Sequence, residues 1–420
     1  MTRARDLADY ISTGVSDTEL DVLDGVTAGT VTASKALVVD ANKDIASLRN
    51  ATLAGTATIN TLAVDGGTIK LDGNYPTGTG NVALGDTALD SLQSGGDNNV
   101  AIGRNTGTAI TTGTENSLVG SLAGDALTTG SQNVAFGAQA LTLDTLGSKS
   151  VAIGESTLKV QNFTSATDAF NVAVGTDAGQ SVTTGVQNTL IGGLAGGAIT
   201  TGASNVSVGY GSLTSNTTGE RNTSLGHQSL YTNTTGSFNT ASGRASMYFN
   251  TTGQQNAAFG QDSLFANTTG SYNVALGKSA LQTNTTASNN TAVGYRASYS
   301  STTGNDNVII GMDSFYNGTT GSDNVLIGHR AGYNHSSGSS NVGVGYDALL
   351  QNTTAGNNTA VGYQAAYSNT TGTDVVAVGM SALQDNTTGV GNVAIGRFAL
   401  GDNTTANGNT AVGGYDGSAQ

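Results

Sequence analysis

The sequence predicts an all-β protein, a parallel β-solenoid built from 17-residue coils. Three observations carry this. First, the string Asn-[Val/Thr]-Ala-apolar-Gly recurs, with its glycine at 85, 103, 120, 137, 154 and 175, then every 17 residues to Gly413, twenty copies in all. Second, the 420 residues include 61 Gly, 63 Thr and 40 Asn, types that suit turns and disfavour helix interiors. Third, 17 residues are too few for helical hairpin repeats, which run to about 33–47. Collagen is excluded, because Gly falls far short of one residue in three and there is a single proline, Pro76. Charged residues make up 10%, too few for a disordered tail of the usual charged, proline-rich kind.

Within one coil, numbered from its asparagine, Asn-Val-Ala-Ile-Gly reads as a short strand, since apolar and β-branched residues fit a pleated surface. Three to four residues later, the Ala/Ser-Leu segment reads as a second short strand. Asn-Thr-Thr-Gly is a turn, with Gly expected at positive φ and Asn in the left-handed region. Position 4 is apolar in all but one copy (Ser242), so positions 2 and 4, such as Val274 and Leu276, are expected to fill the coil. Position 3, usually Ala (Ala83, Ala101, Ala275, Ala292), is then expected on the outer face, where its small size implies close packing by another chain. The position-1 Asn, present in 18 copies, is expected to stack as a side-chain ladder.

Along the chain, residues 1–14 form an N-terminal segment in which Arg3–Ile11 suits a short helix. Residues 15–80 read as an irregular β neck, with strand-like pieces such as Ala57–Val64 and a boundary at Gly73–Gly80. Residues 81–420 are the repeat array, about 95 Å long at about 4.8 Å per coil. Gly154 and Gly175 are 21 residues apart, so four extra residues near Val160–Asp168 are expected to bulge as a loop. No hydrophobic stretch follows the basic start, so no export signal is expected. The last copy runs into Gln420 without a polar cap, which leads us to expect a continuing chain or a partner over that end.

The units Ser150–Gly154, Asn171–Gly175 and Asn392–Gly396 resemble the head repeat of YadA-type trimeric adhesins. That resemblance implies a left-handed β-roll with three chains about one axis, although the family unit is 14 residues and this one is 17. Asp17–Thr27 and Lys35–Asp40 resemble N-terminal regions of tail fibres and other structural proteins of marine phages. Together the resemblances imply a non-enzymatic phage fibre, a homotrimer located on the virion. It would be held to a tail or capsid protein through the N-terminus, with Arg3, Arg5, Leu7, Tyr10 and Ile11 as docking residues, and would contact a host receptor or glycan. The alternatives are a bacterial surface adhesin head, an ice-binding solenoid and, least supported, a glycan-degrading tailspike.

Composition narrows the chemistry further. A formal charge of −14 disfavours nucleic acid, and no apolar run reaches the ~20 residues of a membrane span. With no Cys and three His, disulfides and thiolate metal sites are ruled out and no cofactor is expected. The repeated Asn-Thr-Thr is formally a glycosylation sequon, but turn chemistry accounts for it. Asp306 and Asp323, at equivalent positions of adjacent coils, read as a surface pair rather than a hydrolytic dyad. Position 6, just after the motif glycine, varies most. Tyr210, Tyr295, Tyr346, Tyr363, Arg244 and Arg397 lie there and are the receptor-contact candidates. Position 10 adds Tyr231, Tyr248, Tyr299, Tyr316, Tyr333 and Tyr367.

Overall fold

The structure, a computed structural model, describes residues 78–414. The chain divides into two units, Met1–Lys70 and Leu71–Gln420, and every described residue belongs to the second. The docking candidates Arg3, Arg5, Leu7, Tyr10 and Ile11, and nearly all of the expected neck, lie outside the described residues.

Twenty three-residue strands, from Val82–Leu84 to Thr410–Val412, form one parallel sheet, and no helix occurs among the described residues. Each strand pairs in register with the same positions of the next coil: Val274 with Thr291, Ala275 with Ala292, Leu276 with Val293. The protein is therefore a parallel β-solenoid with a 17-residue coil, as the period predicts. The expected loop is only partly a loop. Thr167–Asp168 returns to pair in parallel with Gly147–Ser148, and Lys149 Nζ sits 2.6 Å from Asp168.

The Ala/Ser-Leu segment is not a second strand. It is a turn in which non-glycine residues adopt positive φ: Ser279 at 58° and Leu281 at 50°, with Tyr272 at 61° just before the next asparagine. Such φ values cost about 1–2 kcal/mol each. They also turn the N–H groups along the rod, where each finds a carbonyl: Tyr272 N on Gln254 O (3.0 Å), Ser279 N on Gln261 O (2.9 Å) and Leu281 N on Ala297 O (3.0 Å). A coil with only three strand residues thus still pairs its backbone axially.

The faces are the reverse of those expected. Position 3 is interior, with Ala101, Ala135, Ala275 and Ala292 fully buried, whereas Leu276 is 48% and Ile310 37% exposed. The cause is the narrow cross-section. Position 9, Leu281 or Leu383 for example, points inward from the turn and fills the coil, leaving room for only a methyl opposite. Where position 3 is leucine, position 9 is glycine; in the one described coil where both are large, Ile309 with Phe315, position 12 is Gly318 instead. Leu190 faces Gly196, where an added Cβ would lie 2.8 Å from the Leu190 side chain. Leu118 faces Gly124 and Leu326 faces Gly332 in the same way.

Two buried asparagine ladders run along the rod. At position 1, Asn273 donates from its backbone N (2.9 Å) and Nδ2 (3.1 Å) to Asn256 Oδ1, and from Nδ2 to Ala287 O (2.8 Å). Ser150, too short for this ladder, is bridged by Gln161, whose Nε2 reaches Ser150 Oγ (3.0 Å) while its Oε1 accepts from Asn171 Nδ2 (2.8 Å). At position 12, Asn284 Nδ2 donates to Asn267 Oδ1 (2.8 Å) and Ala287 O (3.1 Å). The turn asparagine is therefore an interior ladder residue, not a left-handed one. The turn glycine does not need positive φ either. An added Cβ on Gly270 would lie 2.2 Å from Ala287 O, a close approach that favours glycine here although Ala287 and Ala355 hold the same position in their coils. The motif glycine is constrained twice: Gly277 has φ +135°, and its Cβ would meet Gly294 O at 2.4 Å.

Candidate functional site

Side chains at positions 3 and 9 fill the interior of the described coils, and their most variable residues lie on the outer surface. The described surface carries two kinds of distinctive row. The first is the strand face, positions 2 and 4, exposed or half-buried along the described strands from Leu84 through Phe136, Leu276 and Ile310 to Val412; position 4 is apolar except at Ser242, and position 2 alternates between valine and threonine in many coils. It is about 90 Å long and about 7 Å wide. That places it at or above the top of the ~300–600 Å² range of the largest apolar patch on ordinary monomers.

The second kind comprises positions 6 and 10. All six receptor-contact candidates are exposed and share the position-6 row: Tyr210, Arg244, Tyr295, Tyr346, Tyr363 and Arg397. They do not form one site, because Tyr210 and Arg397 are eleven coils apart, about 53 Å. The fold does bring Tyr346 and Tyr363 together, stacked at 5.5 Å and 14°, with the His329 ring 5.0 Å from Tyr346. Tyr210 stacks on His227 at 5.7 Å. Arg244 pairs with Asp262 at 3.2 Å. Arg397 lies 4.9 Å over Phe398, beside the recess at the last coil.

At position 10, Tyr299, Tyr316 and Tyr333 form a near-parallel stack, with centroids 5.0 and 5.2 Å apart and planes 11° and 7° from parallel. Tyr231, Tyr248 and Phe265 form another, at 5.0 and 5.5 Å. Between the rows runs a position-7 charge ladder. Arg296 grips Asp313 through Nε (2.7 Å) and Nη2 (2.8 Å), and Arg330 grips Asp347 at 2.8 and 2.6 Å. These hydrogen bonds raise both arginine pKa values above the ordinary range, against the opposing effect of burial. Arg296 also lies 4.7 Å over Tyr295 and 4.9 Å over Tyr316, joining the two rows. Sequence reasoning passed over these ion pairs, although opposite charges 17 residues apart at one coil position were the available signal.

Other candidates resolve into structure. His335 uses both ring nitrogens inside the position-12 ladder, on Gly338 O (2.6 Å) and Asn352 Nδ2 (2.8 Å). No group of three or more His, Cys, Asp or Glu suited to a metal occurs among the described residues. Asp306 and Asp323 are exposed surface residues. The Asn-Thr-Thr asparagines from Asn216 to Asn386 are fully buried. No known protein family matches the chain, and no curated protein is similar to it.

Proposed function

We propose that this chain is a non-catalytic structural rod, a homotrimeric phage fibre that projects from a virion and contacts a host surface. The observation that carries the multichain part is the largely apolar strand face, interrupted at Thr240–Ser242. A second and third copy of the same chain are its natural occupants, because only a partner with the same ~4.8 Å axial repeat presents matching side chains along the whole length. Lateral association thus rests on positions 2 and 4, not on the position-3 alanines. Virion attachment through residues 1–80 is supported by the resemblance of that stretch to phage structural proteins. The ice-binding alternative is less favoured. The first threonine of each turn already donates its hydroxyl to the next coil, as Thr268 Oγ1 does to Thr285 O (3.0 Å), leaving a single free rank.

Sedimentation of the intact protein at micromolar concentration should give a trimer, and a stable monomer would end the reading. The double change Leu276→Asp/Ile310→Asp should leave the coil spectrum intact while lowering the association state. Removing residues 1–14 should leave a trimer that no longer enters particles. Normal incorporation of the truncated chain would refute the docking role.

A further inference from the structure

The tyrosine rows have features that coil packing does not require. All eleven described tyrosines lie between Tyr210 and Tyr367, although positions 6 and 10 exist in every coil. Earlier coils carry Asp86, Arg104 and Glu155 at position 6, and Thr108, Asp125 and Thr142 at position 10. The fold therefore tolerates small or polar residues there. None of the eleven hydroxyls is hydrogen-bonded to another of the described residues, so on this surface each is open to an outside partner. In the Tyr299–Tyr316–Tyr333 stack the ring faces cover one another, which leaves a rigid row of ring edges and hydroxyls at one per coil. Ordering this row before binding lowers the entropy lost on binding. Both arginines of the strip, Arg296 and Arg330, are held bidentate by aspartates, so the strip offers no free cation to an anionic ligand.

The axial repeat then selects among extended polymers. Coils advance by about 4.8 Å, two coils by about 9.6 Å, and a ribbon-like β-1,4-linked glycan, whose successive sugars are flipped, repeats its edge every two sugars at about 10 Å, whereas an extended peptide repeats its side-chain pattern every ~6.7 Å. A glycan stays in step with the tyrosines over several coils, and a peptide falls out of step after one. We propose that the strip from Tyr295 to Tyr367 binds an uncharged, ribbon-like β-1,4-linked glycan laid along the rod axis, one sugar per coil. This rests on the receptor-contact reading above and names its ligand class. Tyrosine hydroxyls bond successive sugar hydroxyls, and the offset rows at positions 6 and 10 contact the two edges of the ribbon.

The test uses the assembled full-length protein and calorimetric titration with cello-, xylo- and chito-oligosaccharides of two to six sugars, with maltohexaose as the helical control. Saturable binding that strengthens with length to about five sugars, one per coil, and is absent for maltohexaose, is the expected result. Tyr299→Phe/Tyr316→Phe/Tyr333→Phe keeps the stack and removes three hydroxyls. It should weaken binding at least about tenfold without changing the melting temperature. Absence of saturable binding by any of these glycans, length-independent binding, or an unaffected triple variant would overturn the proposal. So would protection of these tyrosines from hydroxyl-radical labelling in the ligand-free assembly, because another copy would then cover them. If oligosaccharide binding fails while particles still adsorb to cells, only the ligand class falls. If oligosaccharides bind but particles do not adsorb through the fibre, the attachment reading falls instead.

Discussion

His335 occupies a position that most coils in its half of the rod give to asparagine, and the substitution makes the rod acid-sensitive. Its Nε2–H donates to Gly338 O and its Nδ1 accepts from Asn352, so only the neutral ring fits the ladder. Burial lowers its pKa to about 4 from the ordinary 6.5, against a smaller opposing pull from the Gly338 carbonyl. A histidine depressed on folding contributes stability that is full above about pH 6.5 and lost as pH falls towards 4, on the order of 3 kcal/mol per chain. Asp144 works in the other direction. Burial raises its pKa, so its contribution is present below the ordinary carboxylate pKa and lost as pH rises through the folded value. Thermal melts from pH 7 to 4 should show a declining midpoint, and His335→Asn should flatten that decline. An unchanged slope would place the acid sensitivity elsewhere. The interior alanines are equally specific. Ala275→Asp should prevent folding, since a carboxylate there is buried beside Leu281 without a partner. Wild-type melting of this variant would restore the reverse assignment of faces.

At the scale of the element, each asparagine ladder is a hydrogen-bonded line whose stability depends on continuity. The position-12 ladder breaks where Ser301 and Gly318 replace asparagine. There the Asn284 Oδ1 and Ser301 Oγ atoms are buried without a hydrogen-bond partner. Gly318 belongs to a separate adjustment, because the Phe315 ring fills the space its side chain would take, 2.3 Å from an added Cβ. Ser301→Asn would supply Asn284 Oδ1 with the Nδ2 donor it receives in regular coils. It should raise stability by about 1 kcal/mol, read as a higher denaturant midpoint with unchanged slope. A lower midpoint would show that Phe315 already claims the space. The strand elements are short by necessity. Three residues suffice because the neighbouring turns, with their positive-φ positions, continue the axial pairing.

For the whole molecule, every coil touches chiefly the coils above and below it, so stability accumulates by neighbour contacts as in other solenoids. Removing whole coils should therefore be tolerated where removing a fraction of one is not. Deletion of residues 256–289, two complete repeats, joins Gln255 to Asn290 in the same phase. The product should fold, and its rod should be shorter by about 9.6 Å in small-angle scattering. Deletion of 256–264 should fail, since it shifts every ladder out of register. If both deletions behave alike, the coil-by-coil account is wrong. The strand face, with Leu276 and Ile310 exposed, is apolar surface that the single chain leaves uncovered.

The period, the strand at Asn-Val-Ala-Ile-Gly and the position-1 asparagine ladder were legible in the sequence alone. A fixed 17-residue spacing forces equivalent residues to stack, and stacked asparagines pair. The tertiary structure decided which face turns inward. Positions 2, 3 and 4 are all apolar or small, so alternation by itself offers two acceptable interiors. Only the leucine arriving at position 9 from the turn shows that most coils have room for no more than alanine at position 3; Ile309 enters a coil whose position 12 is glycine. The Leu190–Gly196 and Phe315–Gly318 exchanges were invisible for the same reason. They balance volume across a cross-section whose width appears only when the coil closes, and that closure also assigned Ile310 to the surface.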